Sequence, residues 1–567
     1  MADNISVGVY TTNNSDACQY VAEHSSAEVV VAEDLVQMQK YIEVLPQLPL
    51  LKLIIVYGVD HIKEKPTGIT VLTWSEFLEA GIKADEYEGG KFSKEVYKRI
   101  EEQVPGMCCN IVYTSGTTGN PKGVMLTHDN MVFIISRMLS GWKDQEIDFG
   151  NERCVSYLPL SHSAAQVNDI MSNLIGRTQL YFARPDALQG TLVDTMNYAK
   201  PTMFLGVPRV WEKMEERLKE LAASSPTILQ KISGWAKGKG SLNSKAKMKN
   251  EESPFGYSFA HFLILGRIKK ALGLDQAKLL IVGAAPMKAA TFEYFQSLDL
   301  PIVNLYGMSE STGPETIAFP GKFKDGTVGF AVDETHIKID RRDKTEGGQE
   351  GEGEICFRGR NNFIGYLNNE KATRETLDQD GYIHSGDLGT KDSEGFVRIT
   401  GRIKELIITA GGENVAPVLI EDSLKSICPI INNVMVIGDD RKYLSALITF
   451  KVEVDMTKGM GTPTTQLTSP VKAFLKEELG ITGVKTTEEA VQNEKIMNYL
   501  DQKVKENNEI AISRAQHIRK FRVLANDFSL EGGELTPTLK LRRKIAYEKY
   551  KDIIEEMYTD EDMTAKM

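Results

Sequence analysis

Residues 113–123 read Tyr-Thr-Ser-Gly-Thr-Thr-Gly-Asn-Pro-Lys-Gly, a string suited to holding phosphate. Gly116, Gly119 and Gly123 let the backbone take conformations that other residues resist. Exposed backbone N–H groups in such a loop can surround phosphate oxygens. Ser115, Thr117 and Thr118 add hydroxyl donors, and Lys122 adds a positive charge. The P-loop pattern G-x-x-x-x-G-K-[ST] does not fit, because Pro121 precedes the lysine and Gly123 follows it. The apolar run 109–112 predicts a strand, with the loop at its end.

Five further blocks carry chemistry. Val-Gly-Ala-Ala-Pro at 282–286 has side chains small enough for a planar base to lie against the backbone. Tyr-Gly-Met-Ser-Glu at 306–310 offers an aromatic face for a purine and a carboxylate for a hard cation, which prefers oxygen ligands. His-Ser-Gly-Asp-Leu-Gly at 384–389 supplies Asp387, able to accept from two neighbouring hydroxyls, and Arg402 follows in Gly-Arg-Ile-Lys-Glu at 401–405. Leu-Thr-Pro-Thr-Leu-Lys-Leu-Arg-Arg at 535–543 places Lys540 near the C-terminus, where its ammonium could offset developing negative charge.

In this order, and spanning about residue 6 to residue 544, the blocks resemble the adenylate-forming (ANL) superfamily of acyl-CoA synthetases, firefly-type luciferases and peptide-synthetase adenylation domains. Segments 7–13 and 407–415 look most like its bubblegum-type long-chain acyl-CoA synthetases. The resemblance implies a long-chain fatty acid–CoA ligase that uses ATP, Mg²⁺ and CoA and passes through an acyl-adenylate. It implies nucleotide contacts from Thr114, Ser115, Gly116, Thr117, Thr118, Gly119, Lys122, Gly283, Ala284, Ala285, Tyr306, Gly307, Ser309, Glu310, Asp387, Arg402 and Lys540. Glu310 and Thr118 would hold the metal, and Lys540, Glu310, Thr118 and Lys122 would carry catalysis. It also implies a hinge at Lys404 and a CoA path past Gly411 and Gly412. His162, in Tyr-Leu-Pro-Leu-Ser-His-Ser at 157–163, and Trp211, in Val-Pro-Arg-Val-Trp at 207–211, would border the acyl pocket. Members of this family normally begin with additional α/β sequence ahead of the segment matching 7–13, so part of the N-terminal region is expected to be missing. The competing expectation is a catalytically impaired acyl- or nucleotide-binding relative.

The elements that must position these blocks follow from the residue patterns. Short apolar runs at 6–10, 28–31 and 51–57 alternate with helical stretches at 15–23 and 34–43, and the same texture returns at 278–282 and 301–305. Alternation of this kind predicts an α/β fold with mostly parallel sheets flanked by helices, and ligands bind at loops beyond the strand ends. Residues 237–254 are polar and poor in large apolar groups, which predicts a surface insertion or mobile loop. Residues 341–353 read as a turn region. After residue 400 short strands at 406–409, 434–437 and 444–450 precede a largely helical stretch at 471–512, predicting a large domain over 1–400 and a smaller, mobile α+β domain over 401–567.

With 567 residues the chain is too long for one ordinary core. Its 67 basic and 78 acidic residues, net −11, provide no global attraction for nucleic acid. The six cysteines form no CxxC pair, and reduced cytosolic thiols are expected. The sequence shows no secretory signal and no apolar run near the 20 or so residues of a membrane span. Peripheral contact with intracellular membranes is left open by composition.

Overall fold

The computed structural model describes residues 4–559 apart from 115–119, 143–146, 148–149, 342–350, 411–413, 456–461, 512 and 537–539. The N-terminal alternation of strand and helix is realised in a parallel sheet of Val29–Ala32, Leu53–Val56 and Thr70–Thr73. Helix Ser15–His24 starts where the Asn14 side chain accepts from the Ala17 N–H, and helix Leu35–Glu43 starts on Asp34 in the same way. Val29 and Val31, on the edge strand of that sheet, are half exposed.

Two sheets carry the chemical blocks. In one, Ser6–Gly8 pairs parallel with Cys108–Thr114, which continues antiparallel into Lys122–Thr127 and then Gly365–Tyr366. In the other, Met203–Gly206, Leu279–Val282 and Ile302–Met308 run parallel, and Gly313–Ile317 and Phe330–Ala331 add antiparallel strands. Leu279–Val282 is buried along its whole length, as expected of a central strand covered on both faces. The loop block at 282–286 and the Tyr306 block therefore leave neighbouring parallel strands at the same end.

A third sheet is wholly antiparallel: His336–Asp340, Gly353–Arg358, Ile383–Lys391 and Val397–Arg402. It departs from the mostly parallel expectation, and Ile355, Cys356, Phe357, Ile383 and Val397 of its strands are buried. The last two strands pair Asp387 directly opposite Arg402. Beyond Arg402, the buried cluster that runs from Ile407 to Ile518 shares no residue with the cluster from Val112 to Val397. This smaller part holds the sheet Ile431–Ile437, Leu444–Phe450 and Ile518–Val523 with helices Pro417–Ile427 and Glu494–Glu509.

Of the loop expected at 237–254, residues 237–248 are instead the second half of helix Thr227–Met248, and residues 249–254 form a turn and an exposed connection. The packed face of that helix is built from Ala236, Gly240, Asn243, Ser244 and Ala246, with Met248 at the end as its large apolar residue, which is why composition concealed it. A side chain at Gly240 would collide with the Ser297 carbonyl oxygen, so the small residue sets the approach to the neighbouring helix Ala289–Ser297. The turn region expected at 341–353 lies largely outside the described residues.

Gly307 is fixed by a similar constraint. A Cβ there would run into the Gly313 carbonyl oxygen of the adjacent strand, at the bulge between Tyr306 and Gly307. Gly307→Ala is expected to lower stability by at least roughly 2 kcal/mol, read as a shift in the denaturant midpoint of unfolding; an unchanged midpoint would show that the two strands are not so closely apposed.

Candidate active site

The phosphate-type loop bridges two antiparallel strands, and Thr114 and Lys122 close its base as a cross-strand pair. Ser115, Gly116, Thr117, Thr118 and Gly119 lie outside the described residues. The Lys122 ammonium lies 4.6 Å from the centre of the Tyr366 ring. Tyr366 donates its hydroxyl to Glu310 Oε1 at 2.6 Å. Burial and the Glu310 charge push the Tyr366 phenol above its ordinary range, so it stays a donor at neutral pH. Lys122, Tyr366 and Glu310, from three separate chain segments, thus form one chain of contacts.

Glu310 sits on a single turn, Ser309–Ser311, that follows the strand carrying Tyr306. That turn is held from below. Asn361 donates from Nδ2 to the Ser311 carbonyl at 3.0 Å and to Glu315 Oε1 at 2.7 Å, and Thr312, in the left-handed region at φ 57°, donates its hydroxyl to the Asn361 carbonyl at 2.6 Å. The Ser309 hydroxyl lies 3.0 Å from that of Ser163, which joins this turn to the His162 segment.

Both oxygens of Asp387 are engaged. Its Oδ2 accepts from the Tyr306 hydroxyl at 2.7 Å and its Oδ1 from Arg402 Nε at 2.6 Å. Burial, followed by the Asp387 charge, drives the Tyr306 phenol well above its usual range. The Asp387 backbone is aimed by Glu354, whose Oε1 accepts from the Gly386 N–H at 2.8 Å while Oε2 bonds His384 Nδ1 at 2.6 Å. Gly386 has φ 73°, a conformation that glycine takes without strain. In the 282–286 block Gly283 packs near the Leu305 carbonyl, Ala285 follows, and Ala284 has φ 69°. A non-glycine residue in the left-handed region marks backbone held by its surroundings.

Lys540 joins this group from the smaller part of the molecule. The protein around it, and next the Arg402 cation, hold its ammonium below the usual lysine range, although one side of the side chain stays open to water. The Asp387 and Glu405 carboxylates act on it in the opposite sense. Lys540 pairs with Thr536: the Lys540 N–H donates to Thr536 Oγ1 at 3.0 Å, and the Thr536 N–H to the Lys540 carbonyl at 2.8 Å. Arg543 fastens this segment by a fork onto Glu421 at 2.7 and 2.5 Å.

His162 caps the short helix that follows it, accepting from the Ala164 N–H through Nδ1 at 3.1 Å. An accepting Nδ1 leaves the ring proton on Nε2. Burial and the Lys540 charge push its pKa down to about 4, so the imidazole is neutral at pH 7. Trp211 is fully enclosed, with Phe204 and Phe295 at 5.3 and 5.0 Å between ring centres. Its indole N–H has no partner among the described residues. Gly411 and Gly412 lie outside the described residues, as does the Lys404 side chain. Tyr366, Glu354, Asn361 and Arg543 escaped the sequence reading; the nearest available signal was the polar string Arg-Gly-Arg-Asn-Asn at 358–362 between two strands.

The pattern of AMP-binding enzymes matches residues 1–367, and that of the AMP-binding enzyme C-terminal domain matches residues 404–467. The chain belongs to the AMP-binding enzyme family, within the adenylate-forming superfamily. It is 44% identical over 563 residues to the long-chain-fatty-acid–CoA ligase ACSBG2 of Gallus gallus, covering 99% of this chain and 71% of the relative. It is 39% identical over 566 residues to the long-chain-fatty-acid–CoA ligase ACSBG1 of Homo sapiens, covering 99% and 75%. Among solved structures it resembles ATP-bound MatB from Rhodopseudomonas palustris, with TM-score 0.61, 18% identity, and 97% and 84% of the two chains covered. It also resembles the adenylation domain of a carboxylate reductase from Mycobacterium chelonae, with TM-score 0.63, 18% identity, and 98% and 76% covered. The two structural likenesses establish the shared fold.

Glu315 makes the support beneath Glu310 sensitive to pH. Burial pushes its carboxyl from 4.5 up to about 8, so the folded chain keeps a proton there that the unfolded chain has lost. Stability therefore falls as pH rises across that window. Glu315→Gln keeps an acceptor for Asn361 and cannot ionise. Thermal unfolding followed from pH 5 to pH 8 is expected to show a flatter dependence in the variant than in the parent, whereas parallel curves would contradict the assignment.

Proposed function

We propose that the chain is a long-chain fatty acid–CoA ligase that converts ATP, fatty acid and CoA to acyl-CoA, AMP and pyrophosphate through an acyl-adenylate. The observation that carries this reading is that Lys540, near the C-terminus, shares one electrostatic neighbourhood with Asp387 and His162 of the larger part and with Arg402 at the boundary between the two parts. A lysine there faces the position expected for the α-phosphate if Asp387 takes the ribose hydroxyls and Tyr306 lies along the adenine.

In the first half-reaction the fatty carboxylate attacks the α-phosphorus in line and pyrophosphate leaves. Lys540 and Lys122 offset the charge that develops, and the hydroxyls of Ser115, Thr117 and Thr118 bind the phosphate oxygens. The donor set fits Mg²⁺, since Glu310 is a buried carboxylate with Oε1 taken by Tyr366 and Oε2 remaining for a hard cation, with Thr118 as second ligand. Bound there, Mg²⁺ would neutralise phosphate charge. Neutral His162 has its Nε2–H to offer the acyl carboxylate. Gly283, Ala284, Ala285, Gly307 and Ser309 shape the nucleotide slot, and Thr114 and Gly119 bound the phosphate loop.

In the second half-reaction the CoA thiolate attacks the acyl carbonyl, and AMP leaves with the bonding electrons. We assign residues 1–400 to a large domain and 401–567 to a small one that rotates about Lys404 between the steps, bringing Gly411 and Gly412 toward the thiol path. A long-chain fatty acid is amphiphilic, and peripheral contact with an intracellular membrane belongs to this reading. No helix among the described residues is long and apolar enough to cross a membrane.

Purified protein incubated with palmitate, ATP, Mg²⁺ and CoA should form AMP and palmitoyl-CoA in equal amounts. Asp387→Asn is expected to raise the KM for ATP about tenfold or more while leaving that for palmitate near the parent value. A folded protein that binds ATP yet forms neither product would favour a non-catalytic binding protein.

A further inference from the structure

Helix Thr227–Met248 and the helical segment 257–271 form a hairpin on the surface of the large domain that no step of the proposed reaction uses. Residues 227–271 contain nine lysines and arginines against two acidic residues, Glu251 and Glu252, in a chain of net charge −11. The hairpin also exposes large apolar groups: Phe255 is 96% exposed, Phe262 72% and Phe259 60%. Trp235 packs against Phe259 at 6.0 Å between ring centres, and Lys239 donates to the Phe255 carbonyl at 2.8 Å, so the aromatic tip is tied to the long helix. Ile228, Ile232, Trp235 and Leu242 are all exposed and recur at the helical spacing that places them along one face.

The hairpin is anchored at its other side. Asn243, Lys247, Tyr257 and Lys269 all bond the buried carboxylate of Asp299, the first three at 2.7, 3.0 and 2.5 Å. Four groups from two helical segments on one carboxylate hold the base firm, so the outward display of phenylalanines belongs to an ordered surface.

We propose that this hairpin docks on an anionic phospholipid bilayer, with Phe255, Phe259 and Phe262 entering the headgroup region and the lysines meeting lipid phosphates. Exposed aromatic side chains on a hairpin that also carries exposed lysines such as Lys231, Lys245 and Lys249 suit that interface, where apolar rings and cationic heads are both favoured. A second copy joined face to face through the same surface would bring like charges together. The choice of a bilayer rests on the long-chain reading above, because such an acid partitions into membranes. The hairpin follows directly on helix Pro208–Ala223, which carries Trp211, so a docked hairpin would hold that part of the large domain close to the acid's source.

The test is co-sedimentation of the full chain with phosphatidylcholine vesicles, with and without phosphatidylserine, in the absence of substrates. Binding is expected only with phosphatidylserine and should weaken as salt rises. Phe255→Ser/Phe259→Ser/Phe262→Ser and, separately, Lys231→Glu/Lys245→Glu should each lower vesicle affinity about tenfold or more, with turnover of a water-soluble medium-chain acid unchanged. Parent-like vesicle binding by both variants would overturn the proposal. So would loss of self-association in the variants with vesicle binding intact, which would mark the face as an interface between copies. Vesicle binding as expected in a protein that activates no fatty acid would instead refute the ligase reading and leave the docking surface standing.

Discussion

The constraint on which the site depends is the double engagement of one carboxylate. Asp387 accepts from Tyr306 through one oxygen and from Arg402 through the other. Tyr306 comes from the mixed sheet, Asp387 and Arg402 from the antiparallel sheet, and Arg402 is the last residue of its strand, at the boundary with the smaller part. A buried carboxylate is costly unless its lone pairs are met, and here they are met by groups from two sheets. The same pairing that makes Asp387 tolerable therefore locks the sheets together at the edge of the cleft that Lys540 faces.

Around that point the protein repeats one device: a buried carboxylate is held by a neutral donor and its backbone is fixed by a second carboxyl group. Glu310 has Tyr366 as its donor and Glu315 with Asn361 beneath its turn. Asp387 has Tyr306 as its donor and Glu354 bracing Gly386. Arg543 on Glu421 does the equivalent for the Lys540 segment, with the charges reversed. The directly acting groups stay near the cleft, and the groups that fix their directions lie behind them, as preorganisation requires.

Much of this was legible in the sequence because it is local. Helices opening on Asn14 and Asp34, the fully apolar strand Leu279–Val282 and the glycine- and hydroxyl-rich string at 113–123 each announce themselves over a few residues. What was not legible depends on contacts distant in sequence. Helix Thr227–Met248 hides because its packing face is largely small and polar, and its partner is the carboxylate of Asp299, more than fifty residues away. Glu354 and Asn361 look like ordinary surface residues until register brings Gly386 and Ser311 beside them. The enclosure of Trp211 between Phe204 and Phe295 is likewise a packing outcome, and a tryptophan at 211 is equally compatible with a pocket wall when only its neighbours in sequence are known.

The central claim is that Lys540 serves the step that makes the acyl-adenylate and leaves the cleft for the step that consumes it. The most direct measurement separates the two in Lys540→Ala, using palmitate-dependent ATP–pyrophosphate exchange for the first and transfer from preformed palmitoyl-AMP to CoA for the second. The account predicts that exchange falls about a hundredfold or more while transfer stays close to the parent rate. An equal loss in both halves would contradict it.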